Sequence, residues 1–398
     1  MFKEEKDDIM NYLLKESFNK LKFNLDYNFI LVDDNGKEIK IDGKIFVPIK
    51  YNIKEIIKNI DSEISIISIK KIQNSNNEKI NFKSFEILKL IGSGSFGKVY
   101  KVRLKSTNEI FAMKVLNKIY YLKEKLLRYA ISECNILKKS NCPFIVKLHY
   151  AFQTPDNLYM ILDYCSLGDL SKQIEDGLFE EDEAKFYIAE LILAIEYLHK
   201  NNIIYRDLKP NNILIDSDGH IKLTDFGLAK ENVNNDIPNK TMVGTLEYLT
   251  PEMISNKGAT KASDIYGIGV ILYELLTGLT PFYNEDPNKM LEQIKTHKLE
   301  FHPFFSDELK DLLTKMLNKE PEKRIGIIND KSDIKNHEFF KDINWEDIAL
   351  KKIKPPMDIV NDRELDNFNE KVIFNDIDYT NENYNIRRVQ GFSFIKSE

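Results

Sequence analysis

The segment Tyr205-Arg-Asp-Leu-Lys-Pro-Asn-Asn-Ile-Leu214, followed by Thr224-Asp-Phe-Gly227, decides how the rest of the chain is interpreted. Between the two segments, Asp216-Ser-Asp-Gly219 is typical of a hairpin turn, because Asp and Gly tolerate the backbone conformations of tight turns. His220-Ile-Lys-Leu-Thr224 then resembles a strand. The pattern therefore predicts two polar loops, one on each side of a short hairpin.

Four side chains of these loops suit the transfer of a phosphoryl group. Mg²⁺ prefers oxygen ligands and is usually bound together with a phosphate, so Asn212 and Asp225 are the candidate metal ligands. Phosphoryl transfer needs positioning and charge neutralisation more than covalent chemistry by the protein. Asp207 is then the candidate acceptor of a substrate hydroxyl proton, and Lys209 the candidate cation beside the moving group. The alternative is a chance Asp-Leu-Lys-Pro turn between two strands.

The two segments together, in this order, resemble the catalytic loop and the Asp-Phe-Gly motif of protein kinases. Tyr205, where the family usually has His, resembles the AGC group, and the protein kinase B, serum-regulated and ribosomal-protein kinase branch looks nearest. The resemblance implies an α+β, two-lobed fold that binds ATP and Mg²⁺ between its lobes. It also implies an accessory region at 1–84, a kinase domain at 85–340 and an AGC-type C-terminal tail with a hydrophobic motif at 341–398.

A glycine-rich segment at Leu90–Val99 matches the phosphate-binding flap of kinases. Glycine lets a backbone approach phosphates closely, and the strand-like residues that follow disfavour a dinucleotide-binding fold, in which a helix would follow. Asp163-Tyr-Cys165 resembles the hinge whose backbone holds adenine, with Leu162 guarding the back of the pocket. The nucleotide contacts that the resemblance implies are Ile91, Gly92, Ser93, Gly94, Ser95, Phe96, Gly97, Val99, Ala112, Lys114, Leu162, Asp163, Cys165, Asp169 and Leu214.

Lys114 lies in the apolar strand-like segment Ile110–Val115. A buried lysine needs a partner, because burying an unpaired charge is costly. Glu133, on a helix expected from 123 to 139, is the candidate, and the resemblance gives both residues catalytic roles. Taken alone, Glu133 would be expected on a solvated helix face; its spacing from Lys114, which resembles that of the kinase family, favours the pair.

Two positions are expected to be regulated by phosphorylation. Thr241 occupies the activation-loop position of the family, with Arg206 and Lys230 as expected phosphate partners and Tyr129 where several relatives have a C-helix His. Ser393 lies in a C-terminal hydrophobic motif.

The motif is expected to dock in a groove of the small lobe. Val389 stands where that motif usually begins with Phe, and the alternative for this end of the chain is an ordinary hydrophobic terminus. Leu158 and Lys118 are expected to line the groove, and Gln153 to contact the phosphate.

Four further acidic residues and one arginine also match positions of the family. Asp169 and Glu274 match acids that relatives use for basic peptides, so protein substrates with basic residues before the acceptor are expected, together with an upstream kinase for activation. Glu252 and Arg324 match a buried structural ion pair of the family. Asp264 begins a segment that matches the helix bracing the catalytic loop.

Composition excludes several other classes of function. The chain has 398 residues and a formal charge of −6, which argues against binding nucleic acid or anionic lipid through bulk charge. Its three cysteines are not in metal-ligand spacing and indicate reduced thiols in a cytoplasmic protein. No signal peptide and no apolar run of membrane-spanning length is found. A pseudokinase scaffold is the alternative function, but Lys114, Glu133, Asp207, Asn212 and Asp225 are all intact.

Residues 1–84 carry no motif. Helical spacing predicts an amphipathic helix over 9–21, and short strands are expected at 29–32, 39–41, 45–47 and 64–72. The region is a candidate for recruiting the kinase to a lipid or a protein, although packing within its own small domain is favoured for the helix, because a membrane helix usually has a basic polar face and this one is mixed.

Overall fold

The structure is a computed structural model that describes residues 80–94, 97–123, 126–231, 245–326, 334–356, 389 and 392–395, together with three strands before them. The chain forms two compact units that divide between Lys79 and Ile80. In the first unit, β1 (Phe29–Val32) pairs antiparallel with β2 (Glu38–Ile39) and β3 (Ser68–Lys71). The helix predicted over 9–21 and the strand at 45–47 lie outside the described residues.

The second unit begins with a six-stranded antiparallel sheet. Its strands are β4 (Phe85–Gly94), β5 (Gly97–Leu104), β6 (Ile110–Asn117), β7 (Leu148–Gln153), β8 (Asn157–Leu162) and β11 (Phe394–Ile395). The order across the sheet is β11-β7-β8-β6-β5-β4, so the end of the chain forms one edge. Residues buried on β5 alternate with more exposed ones, whereas β6 is buried along most of its length because it lies inside the sheet.

Two helices lie between β6 and β7, α1 (Lys118–Lys123) and α2 (Leu127–Lys139). The helix predicted over 123–139 therefore starts later than expected, and the short α1 precedes it. The N–H of Leu126 donates to the carbonyl of Tyr121 at 2.8 Å, which closes the turn after α1.

The larger lobe is mainly helical. It contains α3 (Leu170–Asp176), α4 (Glu181–Lys200), α5 (Pro251–Ile254), α6 (Lys261–Thr277), α7 (Pro287–Thr296), α8 (Asp307–Met316) and α9 (Trp345–Ala349). Short 3₁₀ turns occur at Phe82–Ser84, Pro210–Asn212, Leu246–Tyr248, Pro321–Lys323 and Glu338–Phe340. The apolar helix α6 is buried along most of its length and packs against α4. Among the described residues, no helix is long and apolar enough to cross a bilayer.

The predicted hairpin is present between the two polar loops. β9 (Ile213–Ile215) pairs antiparallel with β10 (Ile221–Leu223), and Gly219 adopts a positive φ in the turn. The two-lobed α+β fold expected from the sequence is confirmed. Helix α4 begins at Glu181, where Glu180 and Glu183 form a capping box at its N-terminus.

Candidate active site

Lys114 projects from β6 into a site shared by three elements. Its Nζ lies 2.7 Å from Glu133 Oε1 on α2 and 3.1 Å from Asp225 Oδ1 after β10. Burial would lower the pKa of Lys114, but Asp225 and Glu133 raise it above its usual value, so the ammonium form is secure. The predicted pair is present, and the contact with Asp225 links it to the second polar loop.

The catalytic loop is held in a strained shape by one carboxylate. Arg206 has φ +69°, in the left-handed region that is costly for residues with a Cβ. Asp264, at the start of α6, accepts hydrogen bonds from the backbone N–H groups of Tyr205 (3.0 Å) and Arg206 (2.9 Å). His199 Nε2 lies 2.7 Å from the same carboxylate. The predicted bracing helix thus supplies a specific anchor for the loop.

Asp207, Lys209 and Asn212 converge within that loop. Asn212 Nδ2 donates to both the carbonyl oxygen and Oδ2 of Asp207 at 2.9 Å, and Lys209 Nζ lies 3.1 Å from the same Oδ2. Burial raises the pKa of Asp207, which Lys209 and Asn212 only partly oppose. A carboxylate with a raised pKa is a better proton acceptor. Lys209 Nζ also donates to Thr245 Oγ1 at 3.2 Å. No role was predicted for the side chain of Thr245.

The residues at the candidate metal site fit a hard divalent cation. Lys114 lowers the pKa of Asp225 and keeps it ionised. Asn212 uses its Nδ2 on Asp207, so its Oδ1 is the atom of that amide able to bind a cation. Within the described part of the chain, no group of three or more His, Cys, Asp or Glu side chains could hold a metal. A cation here would need further oxygens, which the phosphates of a nucleotide can supply.

Four of the nucleotide contacts predicted on the sheet lie on directly paired strands. Ala112 on β6 pairs with Leu162 on β8, and Val99 on β5 pairs with Lys114. Gly97 needs to be glycine, because its φ is +139° and an added Cβ would lie 2.3 Å from the carbonyl oxygen of Val115.

Other predicted contacts lie on β4, on β9 and just before α3. Ile91 and Gly94 are exposed, and an added Cβ at Gly94 would meet nothing within 4 Å. Gly92 and Ser93 are in β4, and Leu214 bridges to Asp169. Ser95 and Phe96 lie outside the described residues.

The side chain of Asp163, at the start of the hinge, is the centre of a network that the sequence analysis missed. Its carboxylate accepts from His149 Nε2 (2.8 Å), Lys222 Nζ (3.0 Å) and the N–H of Lys147 (3.0 Å). Burial would raise its pKa, but these donors hold it well below its usual range. Neither His149 nor Lys222 belongs to a motif. Only the register of β7 against β8 and the return of β10 bring them to Asp163.

The two acids expected to contact basic substrates have different partners. Asp169 caps α3 and accepts from the N–H of Lys172 at 3.1 Å and from the hydroxyl of Ser171. Glu274 accepts from the hydroxyl of Tyr248 at 2.7 Å, and burial raises its pKa to about 7. Among the described residues, neither carboxylate has a Lys or Arg in a salt bridge.

The side chain of Arg206 is not fully hydrogen-bonded within the described part of the chain. Nε donates to the carbonyl of Leu228 at 2.8 Å, whereas the buried Nη1 has no hydrogen-bond partner among the described residues. Burial lowers the pKa of Arg206, and Asp264 and Tyr129 oppose that effect. Tyr129, in place of His, therefore lies near Arg206 and also accepts from Arg128 Nη2 at 3.1 Å. Thr241 lies outside the described residues.

The predicted structural ion pair of the larger lobe is bidentate. Arg324 Nη1 and Nη2 lie 2.7 and 2.6 Å from the two carboxylate oxygens of Glu252. Both side chains are buried, and Tyr266 stacks on the guanidinium with 4.8 Å between the Arg324 Cζ and the ring centroid.

The C-terminal motif docks on the sheet lobe. Phe392 is fully buried and Val389 nearly so, and Phe394 and Ile395 pair with Ala151 and Tyr150 of β7. Leu158 and Lys118 are buried as well. The side-chain amide of Gln153, which is also expected to contact a phosphate, forms two hydrogen bonds with the backbone of Val389.

The three cysteines are free. Cys165 lies in the hinge, and burial, together with Asp216 and Asp163, raises the pKa of its thiol far above the usual value. Cys165 therefore stays protonated near neutral pH and is a poor nucleophile.

Comparison with known proteins identifies the family. The model of the protein kinase domain matches residues 85–340. The chain belongs to the protein kinase family. It is 46% identical over 286 residues to the RAC family serine/threonine-protein kinase homolog of Dictyostelium discoideum, covering 71% of this chain and 64% of that protein.

Two further relatives support the same group. The serine/threonine-protein kinase YPK2/YKR2 of Saccharomyces cerevisiae is 36% identical over 369 residues, covering 92% of this chain and 53% of that kinase. The serine/threonine-protein kinase Sgk1 of Danio rerio is 45% identical over 284 residues, covering 71% and 66%. The resemblance to the AGC group is confirmed. The chain spans between about half and two thirds of the length of these kinases.

Proposed function

We propose that this protein transfers the γ-phosphate of ATP to Ser or Thr side chains of other proteins. The observation that carries the proposal is the joint contact of Lys114 with Glu133 and Asp225, beside a catalytic loop in which Asp207 and Lys209 are paired. A pseudokinase scaffold would not need these catalytic side chains to be in contact. Lys209, at the catalytic-loop lysine position, favours Ser and Thr acceptors over Tyr.

Each residue of the site has a part in this chemistry. Lys114 would hold the α- and β-phosphates, and Glu133 keeps its ammonium group in place. Asp207, with its raised pKa, would orient the acceptor hydroxyl and take its proton. Lys209 would neutralise charge on the moving phosphoryl group. Asn212 and Asp225 would hold Mg²⁺, which neutralises the phosphate charge when it is bound.

Asp225→Asn tests the enzyme directly. The substitution keeps the shape of the side chain but removes the charge that binds the metal, so transfer of radiolabel from ATP to a basic peptide should be lost. The thermal unfolding of the variant should stay close to that of the wild type, which separates loss of chemistry from loss of fold. Activity near the wild-type level would contradict both the metal site and the proposed mechanism.

The substrates are proposed to carry Arg at the third position before the acceptor. Asp169 and Glu274 lack cationic partners within the described part of the chain, and free carboxylates bind Arg through paired hydrogen bonds. A third acid that relatives place after Pro210 is Asn211 here, and it donates to Ser171 Oγ at 2.7 Å. A strict requirement for a second basic residue is therefore not expected. A peptide library that shows no enrichment of Arg would contradict this assignment.

Activation is proposed to follow phosphorylation of Thr241 by an upstream kinase and of Ser393 in the tail. The Nη1 of Arg206, which has no hydrogen-bond partner among the described residues, supports an anion at the first position, with Lys230 as a second cation. Docking of the tail beside α2 would favour the position of that helix in which Glu133 reaches Lys114. Phe392→Ala should lower peptide phosphorylation by the Thr241-phosphorylated enzyme without loss of ATP binding. Equal rates for variant and wild type would contradict this role of the tail.

The region at 1–84 is proposed to recruit the kinase domain to its site of action in the cytoplasm. The alignment with YPK2/YKR2 supports a shared feature here, because its length requires residues before Phe85 to be included. Co-sedimentation with anionic liposomes, with and without residues 1–84, distinguishes a lipid from a protein partner. The free cysteines are consistent with a reducing compartment.

A further inference from the structure

Gln153, at the end of β7, binds the main chain of the C-terminal tail through its side-chain amide. Its Oε1 accepts from the N–H of Val389 at 2.8 Å, and its Nε2 donates to the carbonyl oxygen of Val389 at 2.9 Å. One side-chain amide thus satisfies both backbone groups of one residue, 236 positions later in the chain. This contact does not involve the side chain of Val389.

Lys118 fixes the orientation of that amide. Its side chain is buried, and its Nζ donates to Gln153 Oε1 at 3.0 Å and to the carbonyl of Thr154 at 2.6 Å. An ammonium group can only donate, so the amide atom that faces it is the oxygen. Nε2 must then point to the carbonyl of Val389. Burial lowers the pKa of Lys118, and the charge of Asp156 opposes that effect.

The remaining contacts of the tail also need no phosphate. The ring of Phe392 is fully buried, and its carbonyl lies 3.5 Å from the Sγ of Cys134 on α2. Phe394 and Ile395 add an edge strand to β7. Ser393 is exposed, and its hydroxyl has no hydrogen-bond partner among the described residues.

We propose that Gln153, oriented by Lys118, is a main-chain clamp for the C-terminal tail that docks the tail without a phosphate on Ser393. The clamp accounts for Val389 in place of Phe, because hydrogen bonds to the main chain tolerate any side chain that fits. Phosphorylation of Ser393 would then adjust a docked state that already exists. The inference rests on the docking proposed above, but not on phosphoryl transfer.

Cys134 provides a measurement of docking that needs no ATP. It is fully buried beneath the tail, and burial raises the pKa of its thiol to about 11. Release of the tail should expose it to iodoacetamide. Labelling of Cys134 in the full-length, phosphatase-treated protein is followed by mass spectrometry, with Cys142 and Cys165 as internal references. Phe392→Ala gives the rate for the undocked tail.

The clamp predicts which variants release the tail. Gln153→Met keeps the size of the side chain but loses both hydrogen bonds, and should label about tenfold faster at Cys134 than the wild type. Gln153→Glu should also label faster, because its second oxygen faces the carbonyl of Val389. Gln173→Met is the matched control, since Gln173 donates to Leu167 in the larger lobe, and it should label at the wild-type rate. Ser393→Ala should also stay protected.

Two results would overturn the proposal. If Ser393→Ala labels as fast as Phe392→Ala, the tail depends on the group at Ser393. If both Gln153 variants label as slowly as the wild type, the amide does not hold the tail. Unchanged labelling of Cys142 and Cys165 shows that a variant keeps its fold. A protein that is inactive as a kinase but gives the predicted labelling pattern would contradict the proposed function and leave the clamp intact.

Discussion

The two lobes each contain a buried ion pair, and the pairs differ in how completely their members are satisfied. In the larger lobe, Arg324 is fully enclosed: it binds both oxygens of Glu252 and donates to the carbonyls of Ala262 and Asn318. In the sheet lobe, Lys114 shares one ammonium group between Glu133 and Asp225, and the Asp225 side chain is 31% exposed. We call the Glu252–Arg324 pair closed, because both of its side chains are buried, and the Lys114 pair open, because the Asp225 side chain is partly exposed.

The choice of cation fits this difference. A guanidinium has a rigid, planar set of donors that matches a carboxylate, whereas an ammonium is a compact charge whose donors can turn to new partners. The Glu252–Arg324 pair is therefore suited to holding elements in place. The Lys114 pair is suited to exchanging a carboxylate contact for a phosphate contact. We expect loss of the first to affect stability and loss of the second to affect activity.

The largest expected effect is on the closed pair. Arg324→Met should lower the free energy of unfolding by about 3–5 kcal/mol, because it leaves the buried carboxylate of Glu252 without its cation. Arg103→Met is the matched control, since Arg103 pairs with Glu86 at 3.0 Å with both side chains about half exposed. That variant should cost about 0–1 kcal/mol. Urea unfolding measures both, and similar costs would show that closure is not what distinguishes the Arg324 pair.

Loss of the open pair should affect activity more than stability. Lys114→Met should reduce kcat/KM for peptide phosphorylation by about 10²–10³-fold, the size of losing one preorganised contact to the developing charge. Its cost in urea unfolding should be smaller than that of Arg324→Met, because burial raises the pKa of Glu133, which favours its neutral form once the cation is lost, and because Asp225 is partly solvated. A variant that unfolds as readily as Arg324→Met would mean that both pairs are structural.

The sequence predicted the two ion pairs because each lies within segments whose order and composition are specific. Lys114, Asp207, Asn212 and Asp225 are set by short motifs on elements that local propensity also predicts. The Asp163 network could not be predicted in this way. Its donors, His149 and Lys222, come from strands whose register follows from packing of the whole sheet lobe against the hairpin.

The same limit applies to the tail. Gln153 and Val389 are separated by most of the chain, and neither residue type indicates a main-chain contact. The start of α2 was also placed too early, since a continuous helical pattern does not reveal the turn after α1. Long-range register and the junctions between elements therefore account for what sequence patterns missed.

Glu274, a carboxylate without a cationic partner in the described part of the chain, extends the comparison. Glu274 has the hydroxyl of Tyr248, and burial raises its pKa to about 7. Below that pH it is mostly neutral and binds Arg weakly; above it the carboxylate is ionised and binds Arg well. KM for an Arg-containing peptide should therefore fall about tenfold from pH 6 to pH 8. Glu274→Gln should remove this fall, and an unchanged pH profile in that variant would contradict the role of Glu274 in substrate binding.

The smallest expected effect concerns Asp163, a carboxylate held by three donors at the hinge. The N–H of Asp163 donates to the carbonyl of Lys147 at 3.1 Å, and its side chain accepts from the N–H of Lys147, so the backbone here is fixed from both sides. Lys222 connects the same carboxylate to β10, three residues before Asp225. Asp163→Asn removes the charge but keeps an oxygen for one donor.

We expect Asp163→Asn to raise KM for ATP about fivefold, equivalent to about 1 kcal/mol, with kcat within about twofold of the wild type. The hinge backbone that holds adenine would lose its fixed position, whereas the groups at the reacting phosphate would not move. Steady-state kinetics at varied ATP measure the split, and Lys222→Met should show a smaller rise in KM. In the double variant the two effects should be less than additive, because both act through one hydrogen bond. A fall in kcat with KM unchanged would instead assign the network to the strand that leads to Asp225.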